Sequence, residues 1–221
     1  INNPTKLLIG REFCSSSVAY LWDAIENGKS ILFVGDRRTN ITDLRQSIVP
    51  FEDNSTYTIK LDALNVPKQE ITHVEEMVKK SNNPIHLHIQ EADAKGAMDR
   101  FTMQNEMAEE FDLVVVQRAI YVLSDGKTKD FSYAVHRNIG ISEIEVEEGD
   151  ITYNPVFERI PENDSWRELL GNSNLWRTYD INQKQYLRRI DEREEILIDL
   201  EGNRDLGPID VIEAIENANV E

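Results

Sequence analysis

The stretch Ser30-Ile31-Leu32-Phe33-Val34-Gly35 decides how this sequence of 221 residues folds. It is an uninterrupted apolar run closed by a glycine, which is typical of a strand buried on both faces of a parallel sheet. Before it, residues Ser15–Asn27 repeat apolar side chains at helical spacing, and Gly28 follows where a helix would end. The sequence therefore predicts a helix that leads directly into the first strand of a sheet.

The same alternation of helix and strand continues to residue 116. Strands that alternate with helices of about ten or more residues imply right-handed crossovers and a mainly parallel sheet. The predicted fold class is α/β, a doubly wound, Rossmann-like sheet with helices on both faces. Helical spacing places the further helices at Thr39–Ile48, Pro67–Lys80 and Lys95–Glu110. Apolar runs place the further strands at Thr56–Leu61, Pro84–Ile89 and Phe111–Val116.

The pattern is weaker after residue 125. We interpret Phe131–Val135 and Asp164–Leu170 as helical, and Ile141–Val146 as a partly exposed strand because it alternates apolar and acidic residues. Two short apolar runs, Tyr186–Ile190 and Ile196–Leu200, fit an antiparallel hairpin at the C-terminal edge of the sheet. A single long helix across residues 183–200 is the alternative.

Charge is spread unevenly along the chain. The sequence has 24 Lys/Arg and 41 Asp/Glu, a formal charge of −17, of which residues 1–140 carry −4 and residues 141–221 carry −13. This excess disfavours nucleic acid and other polyanionic partners. We expect one domain over residues 1–221, whose acidic part 141–221 completes the sheet and offers a solvated face or a surface for a protein partner.

Cysteine content and hydropathy indicate where the protein works. The single cysteine, Cys14, excludes an internal disulfide and a zinc site built from cysteines, which favours a reducing environment. The longest apolar runs, such as Leu113–Val116, are far shorter than the ~20 residues that cross a bilayer. We therefore expect a cytoplasmic protein without a membrane partner.

Candidate ligand-binding residues stand at the ends of three successive predicted strands, where doubly wound sheets bind their ligands. Gly35 allows a sharp turn into a helix whose first amide groups are available to a ligand. Asp62 can accept hydrogen bonds from ribose hydroxyls, and Asp93 from an exocyclic amine. Each aspartate could equally cap the helix that follows it.

Four stretches resemble the motifs of the class I S-adenosylmethionine-dependent methyltransferases. They are Ile31–Gly35, Ile59–Asp62, Glu91–Ala94 and Phe111–Val116, the last continued by Gln117–Asp125. The resemblance implies a cofactor-binding core over residues 15–125, S-adenosylmethionine as cofactor, and methyl transfer to an unidentified acceptor. The residues that it assigns to the cofactor are Gly35, Asp36, Arg37, Asp62, Ala63, Asp93, Ala94, Gln117 and Arg118.

Within that set, the resemblance implies separate roles. The turn after Gly35 would face the methionine part, Asp62 the ribose and Asp93 the adenine, whereas Gln117 and Arg118 would line the methyl-transfer site. Methyl transfer from a sulfonium needs placement more than a nucleophile. If the acceptor must lose a proton, the candidate bases are Tyr121, Asp125 and His136.

The first motif departs from the family, because Arg37 and Thr39 stand where the family has further glycines. The departure would hold the loop differently or let Arg37 or Arg38 bind an anionic group. Together with the acidic C-terminal part, it favours an alternative, a catalytically inactive scaffold or regulatory interaction domain. Residues Ala24–Gly35 also resemble the opening of sirtuin-like NAD-binding domains, so another nucleotide-binding Rossmann protein stays as a third hypothesis.

His86 and His88 form the one pattern in the sequence that could point to a metal. They are two residues apart on a predicted strand, so both face the same side and could bind a metal with Glu91. Two histidines are more often ordinary packed residues. We therefore expect no metal site.

Overall fold

The computed structural model describes residues 3–9, 12–36, 39, 41–52, 55–61, 66–123, 132–160, 164–203 and 208–218, without the side chains of 9, 41–43, 119–138 and 208. Its centre is a sheet of seven strands in the order β2-β3-β1-β4-β5-β6-β7. Strands β2, β3, β1 and β4 run parallel, and β4 to β7 are antiparallel. The strands are β1 Ile31–Gly35, β2 Tyr57–Leu61, β3 Ile85–Gln90, β4 Leu113–Leu123, β5 Ser132–Glu147, β6 Asp150–Ile160 and β7 Ser165–Glu168.

Helices cover both faces of this sheet. They are α1 Pro4–Ile9, α2 Ser15–Glu26, α3 Ile41–Ile48, α4 Lys68–Lys80, α5 Ala94–Met98, α6 Gln104–Glu109, α7 Gln183–Gly202 and α8 Pro208–Ala218. A first apolar cluster joins α1, α2, α3, α7 and α8 to one face, and includes Phe33 and Val115. A second apolar cluster joins α4, α5 and α6 to the other face, and includes Val34 and Val114. None of the helices in the described part of the chain is long and apolar enough to span a membrane.

The α/β class and the parallel centre are confirmed, but the strand order is unusual. Doubly wound sheets commonly follow 3-2-1-4-5-6 or 2-1-3-4-5, with β2 beside β1. Here β3 lies between β1 and β2, which puts β2 at the free edge of the sheet. Local periodicity cannot reveal this exchange, because it does not record which strands become neighbours.

The N-terminal half follows the predicted elements closely. The helix after Cys14, the strand at Ile31–Gly35 and the helix Lys68–Lys80 begin and end within two residues of their predicted bounds. Gly28 adopts a φ of 70°, a left-handed conformation that ends α2 and that glycine enters without strain.

The predicted single helix Lys95–Glu110 is wrong, because the chain breaks between α5 and α6. The buried carboxylate of Glu75 on α4 accepts hydrogen bonds from the amides of Thr102 (2.5 Å) and Met103 (3.2 Å), and from the Thr102 hydroxyl. These amides therefore bond to a side chain of another helix instead of continuing a helical ladder.

Three predictions after residue 125 are also wrong: two helices and the C-terminal hairpin. Residues from Ser132 onward form β5 where Phe131–Val135 was expected to be helical, and Ser165–Glu168 within the expected helix Asp164–Leu170 pairs with β6. Antiparallel strands do extend the sheet, but they come from residues 132–168.

The expected hairpin at Tyr186–Ile190 and Ile196–Leu200 is instead the single helix α7, which was the alternative. Asn182 and Gln185 form a capping box at its start, since each side chain bonds the other's backbone amide. The buried side chains Tyr186, Ile190 and Leu197 lie at helical spacing on its inner face. This spacing leaves the charged residues between the two runs on a helix surface, where Glu192 pairs with Arg188 along α7 and Arg193 pairs with Asp23 and Glu26 of α2.

Candidate functional site

The carboxyl ends of β3 and β1 lie side by side, and β4 runs on past them to Leu123. Gly35, the last residue of β1, is level with Gln90 of β3 and with Gln117 of β4. The helix after β1 packs in the first apolar cluster, whereas α5 after β3 packs in the second. Two neighbouring strands thus send their chains to opposite faces, and α/β sheets bind ligands at such a crevice.

Gly35 and Asp36 form the start of this crevice. The carbonyl of Gly35 accepts a hydrogen bond from the amide of Glu91 at 3.1 Å, which keeps the ends of β1 and β3 paired. The carbonyl of Asp36 accepts from the amide and the hydroxyl of Thr39, at 3.0 and 2.8 Å, so the chain turns immediately. Arg37 and Arg38 lie outside the described residues, and their ligand roles stay predictions.

Asp62 and Ala63 also lie outside the described residues, but the strand that they follow is in place. β2 is the edge strand, and β3 occupies the position next to β1. The acidic residues that follow the neighbour of β1 are therefore Glu91 and Asp93. Glu91 is held by Arg100, whose Nη1 lies 2.7 Å from its carboxylate.

Asp93 acts as a helix cap and also faces a cation. One carboxylate oxygen accepts a hydrogen bond from the amide of Gly96 at 2.8 Å, which caps α5. The other oxygen lies 3.8 Å from the guanidinium of Arg118. Arg118 is fixed in turn by donating from Nε to the carbonyl of Ala92 at 2.7 Å.

Gln117 and Arg118 lie on opposite faces of the sheet, because successive residues of a strand alternate. Gln117 is buried on the side of the first cluster, where its Nε2 donates to Glu12 at 3.1 Å. Its Oε1 is buried and has no hydrogen-bond partner among the described residues. The resemblance implied that Gln117 and Arg118 line one site, but the structure does not bring their side chains together.

A cavity of about 340 Å³ opens beside α5 on the face of the second cluster. It brings together three of the residues nominated from the sequence, Asp93, Ala94 and Arg118. Its volume lies at the lower end of the ~300–1,000 Å³ that is usual for small-molecule pockets. Its further lining includes Lys95, Val114, Val116, Ile139, Gly140, Ser142, Tyr153, Pro155 and Glu158. We call it the α5 cavity.

The α5 cavity contains two hydroxyl groups, those of Ser142 and Tyr153, that the sequence analysis did not nominate. Neither forms a hydrogen bond within the described protein, so both are available to a ligand. Burial raises the pKa of Tyr153, and the nearby Asp99 and Asp93 raise it further, so the phenol stays protonated at neutral pH. Both residues come from the β5–β6 hairpin, of which only Ile141–Val146 was predicted. The alternation Ile151, Tyr153, Pro155 was the available signal for β6.

The other chemical candidates do not form a reaction centre in the described residues. The side chains of Tyr121 and His136, and all of Asp125, lie outside them. His86 Nδ1 lies 2.6 Å from the Glu52 carboxylate, and His88 stacks on Phe33 with 4.7 Å between ring centroids. No group of three His, Cys, Asp or Glu side chains that could hold a metal occurs in the described part of the chain.

The α5 cavity is suited to binding more than to covalent chemistry. Val114 and Val116 give it an apolar floor for a planar ring, and the Asp93 carboxylate can accept from an amine at its rim. Arg118, Ser142 and Tyr153 supply donors around that floor. No protein-family model matches the sequence, and no curated protein shows significant similarity to it.

Proposed function

We propose that this protein binds S-adenosylmethionine at the carboxyl edge of β1, β3 and β4 and transfers its methyl group to an acceptor. The observation that carries the proposal is the α5 cavity, because it unites Asp93, Ala94 and Arg118, which the family motifs nominated independently. The adenine ring would lie on Val114 and Val116, with its exocyclic amine donating to Asp93.

Methyl transfer from this cofactor requires few further catalytic groups from the protein. A sulfonium donor is already activated, so in-line placement of the acceptor supplies much of the acceleration. Arg118 lies at the cavity rim, where it would orient an acceptor that carries negative charge. Residues 1–140, which contain most of this edge, carry only −4 of the total charge of −17, so the local field does not repel such an acceptor strongly.

The strand order bears on one part of the proposal. With β3 beside β1, a cofactor held at the end of β1 would meet the end of β3 before the end of β2. We therefore expect Asp93→Asn to weaken binding more than Asp62→Asn. The reverse result would favour the role that the family motifs give to Asp62.

Isothermal titration with S-adenosylmethionine and with its demethylated product tests the proposal. Ser142→Ile fills the α5 cavity with a side chain that strands accept, and we expect it to weaken binding by about tenfold or more, equal to about 1.4 kcal/mol. Ser142→Ala is the matched control, because it leaves the α5 cavity open and removes only the hydroxyl. It therefore separates the effect of filling the cavity from the loss of the hydroxyl group. Absence of heat at millimolar ligand with a folded sample would disprove cofactor binding.

An inactive scaffold is the second candidate, and one observation favours it. Polar groups at this edge are used within the protein, since Asp93 caps α5, Glu91 bonds Arg100 and Gln117 bonds Glu12. Thermal unfolding with S-adenosylmethionine, NAD and adenosine separates the candidates. A ligand at 100 times its Kd adds about 2.7 kcal/mol, which raises Tm by about 5–10 °C in a chain of this size. A scaffold would show no shift with any of them, and a NAD-binding protein would respond to NAD alone.

A further inference from the structure

A second cavity lies on the opposite face of the sheet from the α5 cavity. It has a volume of about 580 Å³ and lies between α2, α7 and the end of α8. Its apolar lining is Trp22, Ile196 and Ala218, and its polar lining includes Glu26, Arg189 and Arg193. We call it the α7 groove.

The basic groups of the α7 groove are already neutralised within the protein. Arg189 bonds the buried carboxylate of Asp23 at 2.7 Å, and Arg193 bonds both Asp23 and Glu26. An anionic partner would therefore have to displace a carboxylate to reach either guanidinium. The groove offers no unpaired cation to nucleic acid or to an anionic membrane surface.

Carboxylates border the groove along α7. Glu192, Glu195 and Asp199 are spaced i, i+3 and i+7, so they form one row on the helix surface beside the groove residue Ile196. Glu192 pairs with Arg188 at 3.1 Å, whereas Glu195 and Asp199 are exposed and have no ion-pair partner among the described residues.

The acidity continues past this row. Residues 194–221 contain nine Asp/Glu and a single Lys/Arg. On α8, which supplies Ala218 to the groove, Glu213 and Glu216 are exposed. An apolar floor is thus bordered by a row of carboxylates on α7, and complementary charge selects the partner of such a surface.

We propose that the α7 groove binds a basic amphipathic helix of a partner protein, with apolar side chains against Ile196 and Ala218 and with Lys or Arg facing the row Glu192, Glu195 and Asp199. A helix laid in a groove buries its apolar face and keeps its charged face toward the rim. This inference does not depend on the proposed function, because the groove and the α5 cavity share no residue.

A designed peptide provides the test. The probe is a leucine–lysine amphipathic helix of about four turns, titrated calorimetrically against the whole chain. We expect a micromolar Kd that weakens as NaCl is raised, since exposed charge attraction is screened by salt. A peptide of the same composition in scrambled order, and one with Glu in place of Lys, should bind at least about tenfold more weakly.

Two variants locate the binding. Glu195→Lys with Asp199→Lys should weaken the Kd about tenfold or more, and so should Ala218→Trp, which fills the groove from the surface. Glu70→Lys with Glu109→Lys is the matched control, because these exposed residues on α4 and α6 carry the same charge change on the other face. We expect it to change the Kd less than about twofold.

Several outcomes would overturn the proposal. These are absence of binding, equal binding of the scrambled peptide, or equal weakening by the control variant. Sedimentation equilibrium tests whether the groove binds a second copy of this chain instead. A dimer that Ala218→Trp dissociates would show that it does.

Discussion

His88 is a buried polar residue without a hydrogen-bond partner among the described residues. Its side chain is fully buried, neither ring nitrogen is bonded in that part of the chain, and the ring stacks on Phe33 with 14° between planes. Burial, together with the nearby His86, Arg45 and Lys60, lowers its pKa from 6.5 to about 3. His88 is therefore neutral in the folded protein above about pH 3, and its position is defined by packing.

The lowered pKa of His88 predicts how the stability of the protein depends on pH. Between pH 6.5 and pH 3 the unfolded chain protonates His88 and the folded chain does not, so stability falls as pH falls through this window. The contribution approaches about 1.4 kcal/mol for each pH unit. His88→Phe should abolish it and, at pH 7, raise the free energy of unfolding by about 1–3 kcal/mol, because an unsatisfied polar group is replaced by an apolar ring.

Urea unfolding at pH 7 and pH 5 measures both effects. The matched variant is His86→Phe, which removes the partner of the Glu52 carboxylate and should destabilise the protein. If His88→Phe also destabilised it, with the same pH slope as the parent, the two histidines would be equivalent and the interpretation of His88 would be wrong.

At the scale of elements, Glu75 fixes the break between α5 and α6. Its buried carboxylate accepts from Thr102 N, Thr102 Oγ1 and Met103 N. Glu75→Ala leaves these three donors without their acceptor. Because Thr102 is exposed, water replaces part of what is lost, and we expect a loss of about 1–3 kcal/mol.

Denaturant unfolding and amide hydrogen exchange at Thr102 and Met103 check this expectation. The adjacent Glu76 provides the control, since its only ion pair within the described part of the chain is an exposed i,i+4 contact with Lys80. Glu76→Ala should change stability by less than about 0.5 kcal/mol. Similar losses in both variants would mean that Glu75 contributes helix propensity rather than an acceptor for the break.

The same element shows what sequence patterns can and cannot predict here. The first four strands and their helices were predictable because each apolar run or helical stripe is local, as at Ile31–Gly35. The α5–α6 break was not, because its cause lies 27 residues away in Glu75. α7 was misjudged because Tyr186–Ile190 and Ile196–Leu200 are each short enough for a strand, and only the capping box at Asn182 decides for a helix.

The candidate site was predictable only in part, for a related reason. Asp93 and Ala94 were found as strand-end residues and Arg118 through the family motifs, and the three do meet in one cavity. The expected neighbour relation of β1 and β2 failed, because sheet order depends on tertiary packing. Ser142 and Tyr153 were missed because they lie on the long β5–β6 hairpin. This hairpin lines the cavity only because of its register with β4, which sequence patterns do not record.

For the whole molecule, the balance between charge repulsion and ion pairing predicts the effect of salt. The net charge of −17 opposes the compact state, most strongly in residues 141–221, which carry −13. Among the ion pairs of the described residues, those of Asp23 with Arg189 and Arg193 join α2 to α7, and the Asp23 side chain is fully buried. Salt screens exposed charges over about 8–10 Å but affects buried pairs much less.

Screening should therefore remove more repulsion than attraction, and stability should rise with NaCl. We expect Tm to increase by about 2–4 °C between low and physiological ionic strength, which corresponds to ~1 kcal/mol for a chain of this size. Glu213→Gln with Glu216→Gln should reduce this gain, because both residues are exposed on the acidic α8. A fall in Tm with added NaCl would instead place the controlling interaction in attractive pairs that water and ions can reach, such as Lys80–Glu76 and Lys95–Asp99.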